Sequence, residues 1–282
     1  MRLSYNLSSL NVYREHTRVL TRQSGSLERI SSGYKVNSAK DDPNALASSE
    51  KMRIQIRGLQ VAQRNAQDGV SMIHTVDGNL ERINAMLHRV RELSIQAGGG
   101  ASPDDIGNLK LEIDQLIDSI DNIAKTCEFN GVKFLNVDPA KNLKMPVGAN
   151  VGETVEIPTY NLQASKLGKG TDTLDTLKAM NGSNFEIDKA LSILDGAIDS
   201  VIGARTKYGA LSNRFESTYD RVGEVHDAIT GAESRVRDAD IAEEMMSLTR
   251  DNLLVDAGHA MMVQSNKFPQ EILRILENVR SR

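Results

Sequence analysis

DPNALASSEKMRIQIRGLQVAQRNAQDGVSMIHTVDGNLERINAMLHRVRELSIQAGGG, residues 42–100, is the stretch that decides the fold. It opens on Asp41-Asp42-Pro43, which sets a carboxylate at a helix cap and proline in the first turn, where the missing N–H costs nothing. It closes on Gly98-Gly99-Gly100, which cannot hold a helix. Between these signals Met52, Ile56, Leu59, Ala66, Val70, Ile73, Leu80, Leu87 and Val90 recur at spacings of three, four or their sums. That period predicts one narrow apolar seam along a polar rod. About 55 residues at ~1.5 Å each make a rod of roughly 80 Å, too long for a small domain, so it must pack lengthwise against other long helices.

The flanking sequence supplies them. On the amino-terminal side Leu3, Leu7, Leu10, Thr17, Leu20, Ser24 and Leu27 form a heptad seam whose small and polar members make it weak alone and in need of a partner. Ser31-Ser32-Gly33 stops that helix, and residues 34–41 link it to the rod. After the glycines, Ser102-Pro103-Asp104-Asp105 repeats the start signal, and Ile106, Leu109, Ile113, Leu116, Ile120 and Ile123 alternate at three and four. Cys127 falls on the next step of that stripe, which predicts a buried structural thiol. Asn130-Gly131 turns the chain tightly. From Leu143 to Pro158 the period becomes two, predicting one or two short β-hairpins; residues 159–182 are polar and glycine-containing, with at most one short helix around Leu174 to Met180.

From Ile187 a second long seam runs through Ala190, Leu194, Ala197, Val201, Ala204, Tyr208, Leu211, Phe215, Thr218 and Val222 to Val225 and Ile229. The register breaks near Arg237-Asp238-Ala239-Asp240. A last seam follows through Ile241, Met245, Leu248, Asn252, Val255, His259 and Met262, with Ile272, Leu276 and Val279 in the final turns and a kink expected at Pro269.

These readings predict a mainly α fold: a long antiparallel helical hairpin or coiled-coil bundle, with paired terminal helices and a small tip containing a β-hairpin. The expected divisions are a terminal coil and linker over 1–41, two rod helices over 42–138, the tip over 139–184, a returning rod helix over 185–236 and a second terminal coil over 237–282. Both ends must come back to the same place.

Composition excludes several function classes. A net charge of −4 gives no general pull toward nucleic acid, and the basic runs Arg53–Arg64 and His88–Arg91 are interleaved with acids and seam residues. No apolar run approaches the ~18 residues that would span a bilayer, so no membrane insertion is expected. The stretch Met1-Arg2-Leu3-Ser4-Tyr5-Asn6 opens no signal-peptide core, so any export is expected to proceed without a cleaved signal. His16, His74, His88, His226 and His259 show no metal-ligand spacing, and the acid pairs Asp41-Asp42, Asp104-Asp105 and Asp238/Asp240 sit where helix caps explain them. Thin rods offer little concavity for catalysis, so neither enzyme activity nor a cofactor is expected.

The wording of the two ends resembles bacterial flagellin over almost the whole chain. The motifs that carry the likeness are LERISSG (27–33), NSAKDD (37–42), MRIQIRGL (52–59), NAQDG (65–69), RVRELSIQ (89–96), EFNG (128–131), VGAN (147–150), YGALSNR (208–214), DADIAEE (238–244) and QSNKFPQ (264–270). The resemblance implies a subunit exported unfolded through the flagellar type III apparatus, polymerising with itself into the extracellular filament. It further implies dealings with an export chaperone and with hook–filament junction and cap proteins. The seam residues Leu3, Leu7, Leu10, Leu20, Leu27, Ile241, Met245, Leu248, Val255, Met262, Ile272 and Leu276 are then the self-assembly seams. Weak terminal seams agree with this independently, because a segment that folds only against neighbours stays threadable.

The likeness also implies binding of Toll-like receptor 5 through the Arg-Val-Arg-Glu-Leu helix and the helix after it, which carries over to Arg89, Leu93 and Glu112. Only about 50 residues separate the rods, so the large outer domains of longer family members have no room, and His-Glu-x-x-His is absent. A hook–filament junction protein would share the terminal coils, and a soluble signalling coiled coil would share the heptads. The intact RVREL and GALSNR runs favour the filament subunit over the first, and polar-seamed ends flanking a β-tip favour it over the second.

Overall fold

The computed structural model describes residues 6–99, 102–137, 142–170, 172–180 and 186–280. In chain order the elements are α1 (Leu7–Ser32), α2 (Pro43–Gly98), α3 (Pro103–Thr126), β1 (Glu128–Phe129), β2 (Val132–Lys133), β3 (Leu143–Pro146), β4 (Thr154–Ile157), β5 (Gly168–Lys169), β6 (Asp172–Thr173), α4 (Leu174–Ala179), α5 (Ile187–Arg237) and α6 (Ile241–Arg280). Two compact units form: Met1–Ile54 with Ala228–Arg282, and Gln55–Asp227. The long helices α2 and α5 contribute to both.

In the larger unit α2, α3 and α5 share one core. The seam expected for α2 is there, with Ile73, Leu80, Leu87 and Val90 buried, but Met72, Val76, Ile83 and Leu93 are buried beside it. The apolar stripe is broader than a single seam because α2 packs on two helices. Arg89 pairs with Glu112 of α3, while Asp77 and Arg91 pair with Arg205 and Asp195 of α5. On α3 the buried positions include Ile117 and Ala124 as well as the expected Ile113 and Ile120, for the same reason.

Local signals mostly act as read. The Asp42 carboxylate accepts hydrogen bonds from the N–H groups of Asn44 (2.9 Å) and Ala45 (3.0 Å), capping α2. The Ser102 side chain does not cap α3. There Pro103 with Asp104 and Asp105 in the first turn suffices, since their charge opposes the exposed N–H groups. Asn130 (φ 49°) and Gly131 (φ 77°) make the two-residue turn between β1 and β2, which needs positive φ at both places. Cys127 is buried as expected; its sulfur accepts from Asn79 Nδ2 at 3.3 Å, and burial pushes the thiol above its ordinary range.

β3 and β4 pair antiparallel from Leu143↔Ile157 to Pro146↔Thr154, with Val155 and Ile157 turned into the core. The hairpin rests on the rod. Asn65 donates to the Pro146 carbonyl at 3.0 Å, and Gly58 lies so close to Ala149 that a Cβ there would sit 3.0 Å from the alanine's own. The stretch from Thr159 is not a solvated loop. Thr159, Leu162, Ala164 and Leu167 are buried, and the N–H groups of Tyr160 and Leu162 donate to the carbonyls of Phe134 and Leu135. Its apolar residues follow neither helical nor strand period because an irregular backbone ladder holds it. Tyr208 of α5 anchors this layer, its hydroxyl donating to the Pro158 carbonyl at 2.7 Å from a fully buried position.

In the smaller unit α1 and α6 run antiparallel. Gly33 ends α1 in the left-handed region (φ 75°), its N–H donating to the Arg29 carbonyl at 2.8 Å. Asp240 opens α6 by accepting from the N–H groups of Ala242 (2.9 Å) and Glu243 (3.4 Å), and α6 continues past Pro269. A bridge between Tyr34 and Asp238 ties the two connections, with the Arg237 guanidinium 4.7 Å over the Tyr34 ring.

Candidate functional site

The pairing of α1 with α6 is built largely from polar groups. Arg29 binds Glu244 through two hydrogen bonds, of 2.6 and 3.1 Å, and holds that carboxyl below the usual carboxylate range. Arg22 lies 3.6 Å from the buried carboxylate of Asp251. Gln23 donates to Asn252 at 2.5 Å, and Asn6 donates to the Ser265 carbonyl at 2.9 Å. Midway, His16 and His259 meet through their Nε2 atoms at 3.3 Å, and Gly258 leaves the room that the His16 ring occupies. Among described residues of α1 the buried ones are His16, Val19 and Ser26, a three-and-seven pattern one face away from the leucine stripe.

That face corrects the expected seam. Leu7 is 70% exposed, and Leu10, Leu20 and Leu27 are exposed too, so the stripe read as the coil's contact face lies beside the buried contact and not in it. On α6 the expectation divides. Leu248, Val255 and Met262 are half-buried, while Ile241 and Met245 are exposed. The physical reason is the ion-pair and amide ladder, which fixes the rotation of both helices and leaves apolar positions facing outward. Tyr13, Met246, Leu253, Leu254, Met261 and Val263 are exposed apolar groups as well, and the seam read from the sequence did not include them. Leu3 and the side chains of Ile272 and Leu276 lie outside the described residues. Met245, Met246, Leu253 and Leu254 line one groove on α6, and an exposed apolar cluster of this kind marks an interaction site.

Arg89, Leu93 and Glu112 do not form one exposed triad. Arg89 and Glu112 are joined across the α2–α3 surface at 3.1 Å, with Glu92 a further partner of Arg89 at 3.2 Å. These two carboxylates raise the guanidinium's hold on its proton. Leu93 is 1% exposed and belongs to the core beneath them. It lies one turn along α2 from Arg89, inside the core that α2 shares with α3 and α5.

Among the described residues no cluster of three or more His, Cys, Asp or Glu side chains gathers as a metal site, and no helix is long and apolar enough to cross a membrane. Comparison with known proteins places this geometry. Residues 3–138 match the bacterial flagellin N-terminal helical region and residues 191–276 the bacterial flagellin C-terminal helical region. The chain is similar to the flagellin of Bacillus subtilis (strain 168), 37% identical over 303 residues, with 98% of this chain and 100% of the relative covered. A Treponema maltophilum protein, the flagellar filament 30.7 kDa core protein, is 36% identical over 284 residues with the same coverage. The fold resembles the structure of a putative flagellar hook-associated protein from Vibrio parahaemolyticus, with a TM-score of 0.61 over 70% of this chain and 100% of that one at 16% identity. With both helical regions matched and relatives aligned over their full length, the chain belongs to the bacterial flagellin family, whose members are structural proteins and not enzymes.

Proposed function

We propose that this chain polymerises through its two terminal helices into the flagellar filament, after export in an unfolded state through the flagellar type III apparatus. The observation that carries the reading is the outward apolar surface of α1 and α6. The helices satisfy one another through polar groups, and the faces bearing Leu10, Leu20, Leu27, Met245 and Leu253 stay uncovered. A heterologous contact between such faces, repeated without closing into a ring, generates an open helical polymer. The same faces suit an export chaperone before assembly and junction or cap proteins at the filament ends. An isolated pair held by ion pairs costs little to unfold, which suits threading.

The test is seeded growth. Short filament fragments added to purified monomer are expected to elongate into tubes visible by negative-stain electron microscopy. Recovery of seeds at their starting length, with monomer left in solution, would oppose the filament reading and favour a junction protein that cannot propagate.

A second part of the reading is that Toll-like receptor 5 binds the α2–α3 surface at Arg89 and Glu112, with Leu93 shaping that surface from beneath. Arg89→Ala is expected to weaken receptor binding at least tenfold in a surface-plasmon assay while leaving the thermal midpoint unchanged, since the ion pair it removes is exposed. Leu93→Ala should instead lower the midpoint, because it opens a cavity in the core. Full binding by Arg89→Ala would remove the receptor from this surface.

A further inference from the structure

We propose that His16 and His259 form a two-histidine clamp for a late first-row divalent cation, Zn²⁺ serving as the probe, which links α1 to α6. The two Nε2 atoms lie 3.3 Å apart on facing helices 243 residues distant in sequence. Two nitrogen ligands held about 2.0–2.1 Å from one tetrahedral ion stand roughly 3.3–3.4 Å from each other, so the separation already matches. The rings are inclined, with centroids 4.5 Å apart and planes at 67°, and do not meet end to end. Inclined rings let both lone pairs turn toward a common point.

The surroundings favour such a site. His16 is buried at 8% exposure, which fixes its ring, whereas His259 is exposed and leaves an entry path. Gly258 gives the space on the α6 side: a Cβ there would lie 3.1 Å from His16 Cδ2. Without metal, the contact needs one Nε2 bearing hydrogen and one accepting it. With metal, the donor ring carries its proton on Nδ1 instead, and both Nε2 lone pairs reach the ion. Imidazole suits zinc, copper and nickel, and waters complete the shell because the described residues bring two ligands here. No spacing motif announced the pair, since its members belong to opposite ends of the chain.

An ion held by both helices stabilises the paired state over the separated one. Titrating ZnCl₂ into full-length monomer is expected to give one zinc per chain by calorimetry, a raised melting midpoint reversed by EDTA, and an X-ray absorption spectrum with two imidazole ligands. His16→Asn and His259→Asn should each weaken binding at least tenfold, while His74, His88 and His226 remain as internal controls. Circular dichroism in EDTA checks that the variants keep their helices. Were His16→Asn to disturb the pair, His259→Asn, at an exposed position, carries the test. Zinc binding unchanged in His259→Asn, or a spectrum with a single imidazole, would overturn the clamp. Seeded growth in EDTA is separate, so failure of the clamp leaves the filament reading untouched.

Discussion

Replacing Leu10, Leu20 and Leu27 together by glutamine is expected to leave a folded monomer that no longer elongates seeds. The three side chains are 44%, 41% and 50% exposed, so about half of each remains to be covered by a neighbouring subunit. Full burial of a leucine side chain is worth about 1.5–3 kcal/mol, so covering the exposed halves of three contributes roughly 2–4 kcal/mol to each subunit addition. At 1.4 kcal/mol per factor of ten, the critical concentration should rise about 30- to 1000-fold. Glutamine has nearly the helix propensity of leucine, so α1 itself is preserved. The buried positions of α1, His16, Val19 and Ser26, are untouched. Sedimentation after seeding measures the free monomer directly. A variant that elongates at the wild-type critical concentration would show that the leucine stripe is not an assembly surface.

That stripe also shows what a sequence can disclose. Its heptad period was plain, and so was the existence of a helix from Leu7 to Ser32. Period says that a face is apolar; it does not say who covers it. Arg29, Gln23 and Arg22 decided the rotation by finding Glu244, Asn252 and Asp251, all more than 200 residues away in sequence, and such pairings leave no local signal. The long helices were legible because their caps and periods are local: Asp42 with Pro43, Asn130 with Gly131, Gly33 at its positive φ. The width of the α2 stripe was less so, since Met72 and Ile83 become core only once two helices flank one. The depth of Leu93 was illegible for a related reason. A motif places it near Arg89 along the chain, but burial depends on what lies above it. The layer of Phe134, Leu135 and Leu162 was invisible, because irregular backbone pairing has no period to detect.

Gly69→Ala is expected to destabilise the native chain yet to stabilise a Phe215→Ala variant. Phe215 of α5 is fully buried, and its ring lies where a side chain at Gly69 of α2 would go: a Cβ there would stand 2.8 Å from Phe215 Cε1 and 3.1 Å from the Met145 sulfur of β3. The Phe215 ring of α5 and the Met145 thioether of the hairpin thus both close on Gly69 of α2. Removal of the ring leaves a cavity at that junction that the surrounding helices are too stiff to fill, costing about 3–5 kcal/mol. Elsewhere in a helix, alanine in place of glycine gains about 1 kcal/mol. Here the clash reverses the sign, because neither ring nor thioether can give way without moving a packed element, and overpacking costs about 1–3 kcal/mol. Once the ring is gone, the new methyl enters empty space and both gains return, the helical propensity and part of the lost contact. Denaturant unfolding of the four chains closes the cycle, with a favourable coupling of roughly 1–3 kcal/mol expected between the two sites. Additive effects would mean that α5 does not seat Phe215 on Gly69.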